Sequence, residues 1–255
     1  MKKISLVFLM AISAMAFASD TREFDISSRA DLDLANVSGD ITLKVGSADR
    51  VVVSYVKKDD DIEVIFQQNG DRITVEVEYP QDRRKKRWNG GVHFTVEFPA
   101  DGDLSLSSVS GDVDAEGVNG RIRLKSVSGN VELRNASGDV KTESVSGNVI
   151  LSDMGEAELD AKSVSGNVKY AGDLTGGDYN FESVSGNVNL QVSDASSFRI
   201  SGSTMSGSVR NNLGGDIQVK KAKYGPQTSI NGSYNGGDVR VDVGSVSGSV
   251  TVSSN

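Results

Sequence analysis

The tetrapeptide Ser-Val-Ser-Gly constrains this chain more than any other feature, because it returns on a nearly fixed period. Its glycine falls at Gly111, Gly129, Gly147, Gly166, Gly186 and Gly248, with a Met-Ser-Gly variant at Gly207. Up to Gly207 the steps are 18, 18, 19, 20 and 21 residues; the last, to Gly248, is 41, about two steps. Weaker echoes lie halfway, at Val118-Asn119-Gly120, Ala136-Ser137-Gly138, Leu174-Thr175-Gly176 and Leu213-Gly214-Gly215. A fixed period of this size is the signature of stacked repeats, in which each unit buries its apolar face against its neighbours.

Within a unit the apolar residues alternate. Val127, Val131 and Leu133 share one parity with Gly129, and Ser128, Asn130 and Glu132 share the other. Alternation of β-branched residues indicates strands with one buried face. A half-step of nine residues would flip that face each time, so one residue per half-step must be absorbed in a corner, where Gly, Asn, Asp and Ser are at home. The expected fold is all-β: a parallel β-solenoid with two strands per coil of about 18–21 residues, rising about 4.8 Å per coil. From Leu104 to the C-terminus this predicts roughly eight coils. An antiparallel sandwich would explain the alternation but not the near-verbatim return of one segment. Stacking also predicts Ser ladders (Ser128, Ser146, Ser165, Ser185) and Asn ladders (Asn130, Asn148, Asn167, Asn187), whose placement on a face or in a corner the pattern leaves open.

Three segments are expected. Residues 1–18 read as a secretory signal peptide: Lys2 and Lys3, the apolar run Ile4–Ala14, then Ala16-Phe17-Ala18 as a cleavage site. The apolar run is too short for a membrane anchor. Residues 19–103 read as an N-terminal hairpin-rich β cap, containing an early copy, Val37-Ser38-Gly39-Asp40-Ile41, and strands at Arg50–Lys57, Ile62–Gln67, Arg72–Tyr79 and Val92–Phe98. Asn69-Gly70-Asp71 between two alternating runs is a strong hairpin signal. Residues 104–255 are the solenoid, its one irregular coil holding Lys220 to Pro226. The chain has no cysteine, which excludes a disulfide scaffold and a lipid anchor on an N-terminal Cys. Removing Lys2 and Lys3 takes the net charge from −8 to −10, against general attraction to nucleic acid.

The early Val-Ser-Gly-Asp-Ile unit, the hairpin-rich middle, Val-Glu-Phe-Pro-Ala-Asp (Val96 to Asp101) and the tandem Ser-Gly-Asp/Asn-Val units together resemble the bacterial putative adhesin family, a domain-of-unknown-function group of exported β-strand repeat proteins. The resemblance implies export and surface interaction, and it brings no catalytic residues.

The chemistry-bearing residues are sparse. His93 is the one histidine available as a base, and it sits on the polar parity of its strand. No Gly-x-Ser-x-Gly elbow occurs. Carboxylates for acid–base work could be drawn from Asp112, Asp114 and Glu116, or Glu132 and Glu143, but they are spread over many coils. Gly176-Gly177-Asp178, Gly214-Gly215-Asp216 and Gly236-Gly237-Asp238 resemble a fragment of a calcium-binding nonapeptide without its continuation, and Asp59-Asp60-Asp61 lacks a spaced-ligand loop. No catalytic, cofactor or metal residue is therefore expected. The sharpest local feature is Arg83-Arg84-Lys85-Lys86-Arg87-Trp88, five cations and the single Trp of an acidic chain. It is the candidate partner-binding segment, suited to an anionic glycan, a lipid headgroup or an acidic protein.

The expected protein is an exported, non-catalytic β-repeat scaffold or adhesin-like binding surface of the cell envelope, periplasmic or at the surface. It is not membrane-spanning and binds no nucleic acid. The alternatives are a polysaccharide-cleaving β-helix enzyme and an envelope-stress or assembly component.

Overall fold

A computed structural model of the chain describes residues 19–79 and 90–255. The expected leader and the cationic segment Arg83–Trp88 lie outside these residues. Among the described residues every regular element except turns is a strand, and no helix is long and apolar enough to cross a membrane.

The chain opens with β1 (Asp20–Asp25), β2 (Ala30–Ser38), β3 (Ile41–Val45), β4 (Arg50–Lys57), β5 (Glu63–Asn69), β6 (Arg72–Glu78) and β7 (Val92–Phe98). The tandem units then give β8 (Gly102–Ser110), β9 (Val113–Glu116), β10 (Asn119–Ser126), β11 (Val131–Arg134), β12 (Ser137–Ser144), β13 (Val149–Ser152), β14 (Ala157–Ser163), β15 (Val168–Gly172), β16 (Asp178–Ser183) and β17 (Val188–Val192). The chain ends with β18 (Phe198–Thr204), β19 (Val209–Asn211), β20 (Gln218–Lys221), β21 (Thr228–Tyr234), β22 (Val239–Ser245) and β23 (Val250–Ser254).

These strands form an 11-stranded and a 12-stranded sheet that face each other across one thin core. In the tandem region each coil gives one strand to each sheet, and each strand pairs in parallel with its copy in the next coil. Val113, Val131, Val149, Val168 and Val188 lie in one column, and Ser126, Ser144, Ser163 and Ser183 in another. Parallel, in-register copies make this a β-solenoid and exclude the antiparallel sandwich. Ile122 and Leu124 point inward from one sheet, Val131 and Leu133 from the other. As the coils widen, larger side chains fill them: Tyr170, Tyr179 and Phe181 are buried with ring centroids 5.3–6.3 Å apart. At the N-terminal end Asn69 faces Arg72 across the β5–β6 turn, where Gly70 takes φ 63°, as the Asn-Gly signal indicated.

Chain order and stacking order part company at both ends. The coil β2–β3 lies between β6–β7 and β8–β9, so neither sheet breaks near residue 103. At the other end the last coil, β22–β23, is inserted between β16–β17 and β18–β19. The 41-residue step is therefore not two stacked coils. Part of it is an antiparallel extension in which β21 pairs with β18 and β20. Gly225-Pro226 lies in the turn between β20 and β21 rather than in a coil, and the stack after Leu104 has one coil fewer than the period predicts. Antiparallel strands also finish the N-terminal end, where β4 pairs with β7 and β1 with β4. Each tucked-in coil thus pairs on both sides, and the free sheet edges, the feature that invites pairing with another chain, fall to β1, β5 and β20 in the antiparallel excursions and to the three-residue β19.

Candidate binding surface

Each coil turns two corners, and the Ser-Val-Ser-Gly segment makes one of them. The first serine is buried. Its hydroxyl donates to the carbonyl of the corner glycine one coil below: Ser126 to Gly111, Ser144 to Gly129, Ser163 to Gly147, each at 2.9 Å. Ser144 Oγ also accepts the N–H of Gly147 in its own corner, at 2.9 Å, and Ser163, Ser183 and Ser245 repeat this bond. One hydroxyl thus closes its own corner and fastens it to the coil beneath. Ser128, Ser146, Ser165 and Ser185 stack in one column, as expected, and face solvent; the side-chain hydrogen bonds from coil to coil are made by the serine two positions earlier.

The glycine is dictated by close approach. A Cβ on Gly129 would lie 2.0 Å from the carbonyl oxygen of Gly111, and one on Gly147 or Gly166 equally close to the glycine below. Neighbouring backbones touch there, and only a hydrogen fits. The Asn ladder is present in this corner. Asn148 Nδ2 donates to Asn130 Oδ1 at 3.1 Å, Asn167 Nδ2 to Asn148 Oδ1 at 3.1 Å, and the backbone N–H of Asn187 to Asn167 Oδ1. Asp112 and Asp40 continue it towards the N-terminal end.

The parity slip falls between the buried serine and the buried glycine, so both residues between them point outward. The valines expected inside with Val131 and Leu133 are therefore exposed. Their backbones are bonded coil to coil: Val127 N–H donates to Ser108 O, Val145 to Ser126, Val164 to Ser144, Val184 to Ser163, Val246 to Ser183 and Met205 to Ser245. With Val37 and Val109 at the N-terminal end, the column holds eight apolar side chains, each 36–51% exposed. Beside it on the outer sheet face runs a column of opposite charges, Lys125, Glu143, Lys162 and Glu182. Lys125–Glu143 and Lys162–Glu182 close at 3.3 and 3.4 Å. Between ridge and charges lies a shallow groove of about 480 Å³. The signal for this surface was present in the repeated Val, but counting parity from the glycine put it inside.

The carboxylates singled out in the sequence are divided. Asp114, Glu116 and Glu132 gather on the outer face of the β9–β11 pair around Arg134, at 2.9, 3.6 and 2.5 Å. Burial raises the Asp114 carboxyl above its ordinary range; Arg134 opposes the rise, and Glu132 and Glu116 add to it. Glu143 stands on the other sheet: burial pushes it up, but hydrogen bonds and charges from Lys141 and Lys125 outweigh that and hold it low. Asp112 is a rung of the corner ladder. His93 Nδ1 lies 3.2 Å from Asp40 Oδ2 at the foot of that ladder. The paired glycines at 176–177, 214–215 and 236–237 all take positive φ, which assigns them to turns. Among the described residues no group of three or more His, Cys, Asp or Glu is placed to hold a metal ion.

No curated protein matches the sequence. Three solved structures are similar over 93% of this chain. One is a putative cell adhesion protein from Clostridium sporogenes, at 11% identity and TM-score 0.41, covered over 100% of its length. Another is a putative adhesin from Bacteroides fragilis, at 14% identity and TM-score 0.42, covered over 98%. The third is a putative lipid binding protein from Parabacteroides distasonis, at 13% identity and TM-score 0.40, covered over 95%. A family model, Toastrack DUF4097, matches residues 29–253, from the foot of the first coil to the last strand. The chain belongs to the Toastrack DUF4097 family.

Proposed function

We propose that this protein is an exported, non-catalytic binding scaffold of the bacterial cell envelope, adhesin-like in use, which makes contact through the aliphatic ridge of its serine–glycine corners. The observation that carries the reading is the ridge itself: eight apolar side chains in one unbroken column, each at least 36% exposed. Soluble proteins scatter exposed apolar residues singly, and a contiguous strip marks an interaction surface. Export rests on the leader-like residues 1–18. Catalysis has no part in the reading, because Asp114, Glu116 and Glu132 turn to Arg134 on an open sheet face. The cationic run Arg83–Trp88 is proposed as a second contact, for anionic glycans, lipid headgroups or acidic proteins.

The test is co-sedimentation of the mature chain with isolated envelope fractions. Wild type should sediment with them. Replacing Val145, Val164 and Val184 by Ser should reduce binding several-fold with the fold intact by circular dichroism, and binding equal to wild type would overturn the ridge reading. Replacing the five cations by Ser should lower binding at low salt only.

A further inference from the structure

We propose that the ridge binds a second copy of this chain, in a two-fold dimer whose rods run antiparallel. The proposal rests on the reading of the ridge as a contact surface and names its partner. The order of residues in the column beside the ridge selects this partner. Over the coils that carry the ridge, from the N-terminal to the C-terminal end, it reads Ala35, Ser107, Lys125, Glu143, Lys162, Glu182, Gly244, Ser203, with Glu76 before it and Ser229 after it. Turned end over end, this order is complementary to itself. Lys125 then meets the other copy's Glu182, Glu143 meets Lys162, and the small residues at one end meet the small residues at the other. A two-fold axis crossing the rod between the coils of Glu143 and Lys162 makes every charged pairing favourable at once.

The ridge has the same centre. Its eight side chains, in stacking order Val37, Val109, Val127, Val145, Val164, Val184, Val246 and Met205, are halved between Val145 and Val164. Those two valines belong to the same coils as Glu143 and Lys162. The axis that matches the charges therefore also lays the two ridges over their full length, valine facing valine except at the ends, where Val37 meets Met205. The third column across the corner, Ser110, Ser128, Ser146, Ser165, Ser185, Ser247 and Ser206, is exposed and small, so nothing on that side holds a second copy away. A parallel arrangement of the two rods would set the charges against these serines and leave them unmatched.

The ridge runs for roughly 34 Å at one coil per 4.8 Å. With its two flanking columns it offers roughly 500 Å² per partner, at the low end of specific interfaces. The dimer is accordingly a weak one, with a dissociation constant in the micromolar range or above. The apolar strip supplies the affinity, and the charges, being exposed, mainly fix orientation and register.

Sedimentation velocity of the mature chain over about 1–500 µM, with two sets of variants, tests this. Wild type should form dimers in that range, and Val145→Ser with Val164→Ser should weaken association at least tenfold. One charge variant, Lys125→Glu with Lys162→Glu, makes the column all negative; the other, Glu143→Lys with Glu182→Lys, makes it all positive. Each should be monomeric alone, and an equimolar mixture should restore dimers. The positions are on the surface, and circular dichroism checks that each variant is folded. A wild type that stays monomeric throughout, or single-sign variants that dimerise as well as wild type, would overturn the proposal. If wild type is monomeric yet the Val→Ser variants lose binding to envelope fractions, the contact-surface reading stands and the self-association fails. If neither changes, both fail.

Discussion

The two corners of each coil are built by different rules. At the serine–glycine corner, the spacing from buried serine to glycine is three residues in Ser126/Gly129, Ser144/Gly147, Ser163/Gly166, Ser183/Gly186 and Ser245/Gly248, and the next strand begins two residues later. At the opposite corner the connection lengthens from Asn135–Ala136 to 153–156, 173–177 and 193–197 as the period grows from 18 to 21. The last two connections are both five residues, and the registers place the final added residue at the same corner, since β15 and β17 are offset by 20 residues and β16 and β18 by 21. The difference follows from contact. One corner stacks backbone on backbone with a buried hydroxyl bridging successive coils, so it admits neither a Cβ nor an extra residue. The other buries one side chain per coil, Val118, Ala136, Met154 and Leu174, and brings backbones close at Gly138 and Gly177, but its turn varies from coil to coil, with Asn135 and Asp153 at φ 50° and 53°.

Substitution of matched glycines should break the comparison most sharply. Gly147→Ala places a Cβ 2.0 Å from the Gly129 carbonyl oxygen, and the ladder prevents the coils from separating. A loss of about 3 kcal/mol or more is expected from urea unfolding. Gly155→Ala, at the opposite corner, has Ser137 Cβ at 3.1 Å as its nearest neighbour and should cost under about 1 kcal/mol. Equal losses would remove the distinction.

Insertion sharpens it further. A single serine inserted after Val145 should shift every inward side chain of the strand that follows and depress the melting temperature strongly. The same insertion after Met154 should change it little, since longer connections already occupy that corner one coil on.

A smaller effect isolates the hydroxyl. Ser144→Ala leaves Gly129 O and Gly147 N without their side-chain partner, and about 1–3 kcal/mol should be lost. Ser137→Ala, at the other corner and half-exposed, should stay within about 0.5 kcal/mol.

The smallest effect lies beside the ridge and depends on pH. The Glu143 carboxyl is held below its ordinary range in the folded protein. Its contribution is therefore present above the unfolded value of about 4.3 and disappears as pH falls through the folded one. Glu143→Gln should lower the urea midpoint slightly at pH 7 and leave it unchanged near pH 3. A gap that persists at pH 3 would assign the effect to packing instead.

Much of this was legible in the sequence because repetition multiplies weak signals. One Ser-Val-Ser-Gly is only a turn; near-verbatim copies on a drifting period specify parallel stacking, and the Asn ladder follows from it. The Asn69-Gly70-Asp71 hairpin was legible for a different reason, since two residues alone determine the turn. Three things were hidden. The place of the parity slip was invisible because a valine satisfies a strand interior and an exposed corner equally well in a count of alternation; hence the ridge was read as core. Which of the two serines carries the hydrogen bonds was hidden for the same reason. The order of coils at the ends was hidden because pairing between β16 and β22 joins residues far apart in the chain, and a 41-residue step fits two coils as well as one coil and a hairpin.

The claim on which the rest depends is that the ridge is one continuous column in stacking order, with Val246 and not Met205 next to Val184. The chain has no cysteine of its own, so engineered pairs report cleanly. Oxidation of Val184→Cys with Val246→Cys should give an intramolecular disulfide, since in-register neighbours stand about 4.8 Å apart. The pair Val184→Cys with Met205→Cys, two coils apart at about 10 Å, should remain reduced. Crosslinking of Val184 to Met205 with Val246 left free would mean that the coils stack in chain order, and the column described here would not exist.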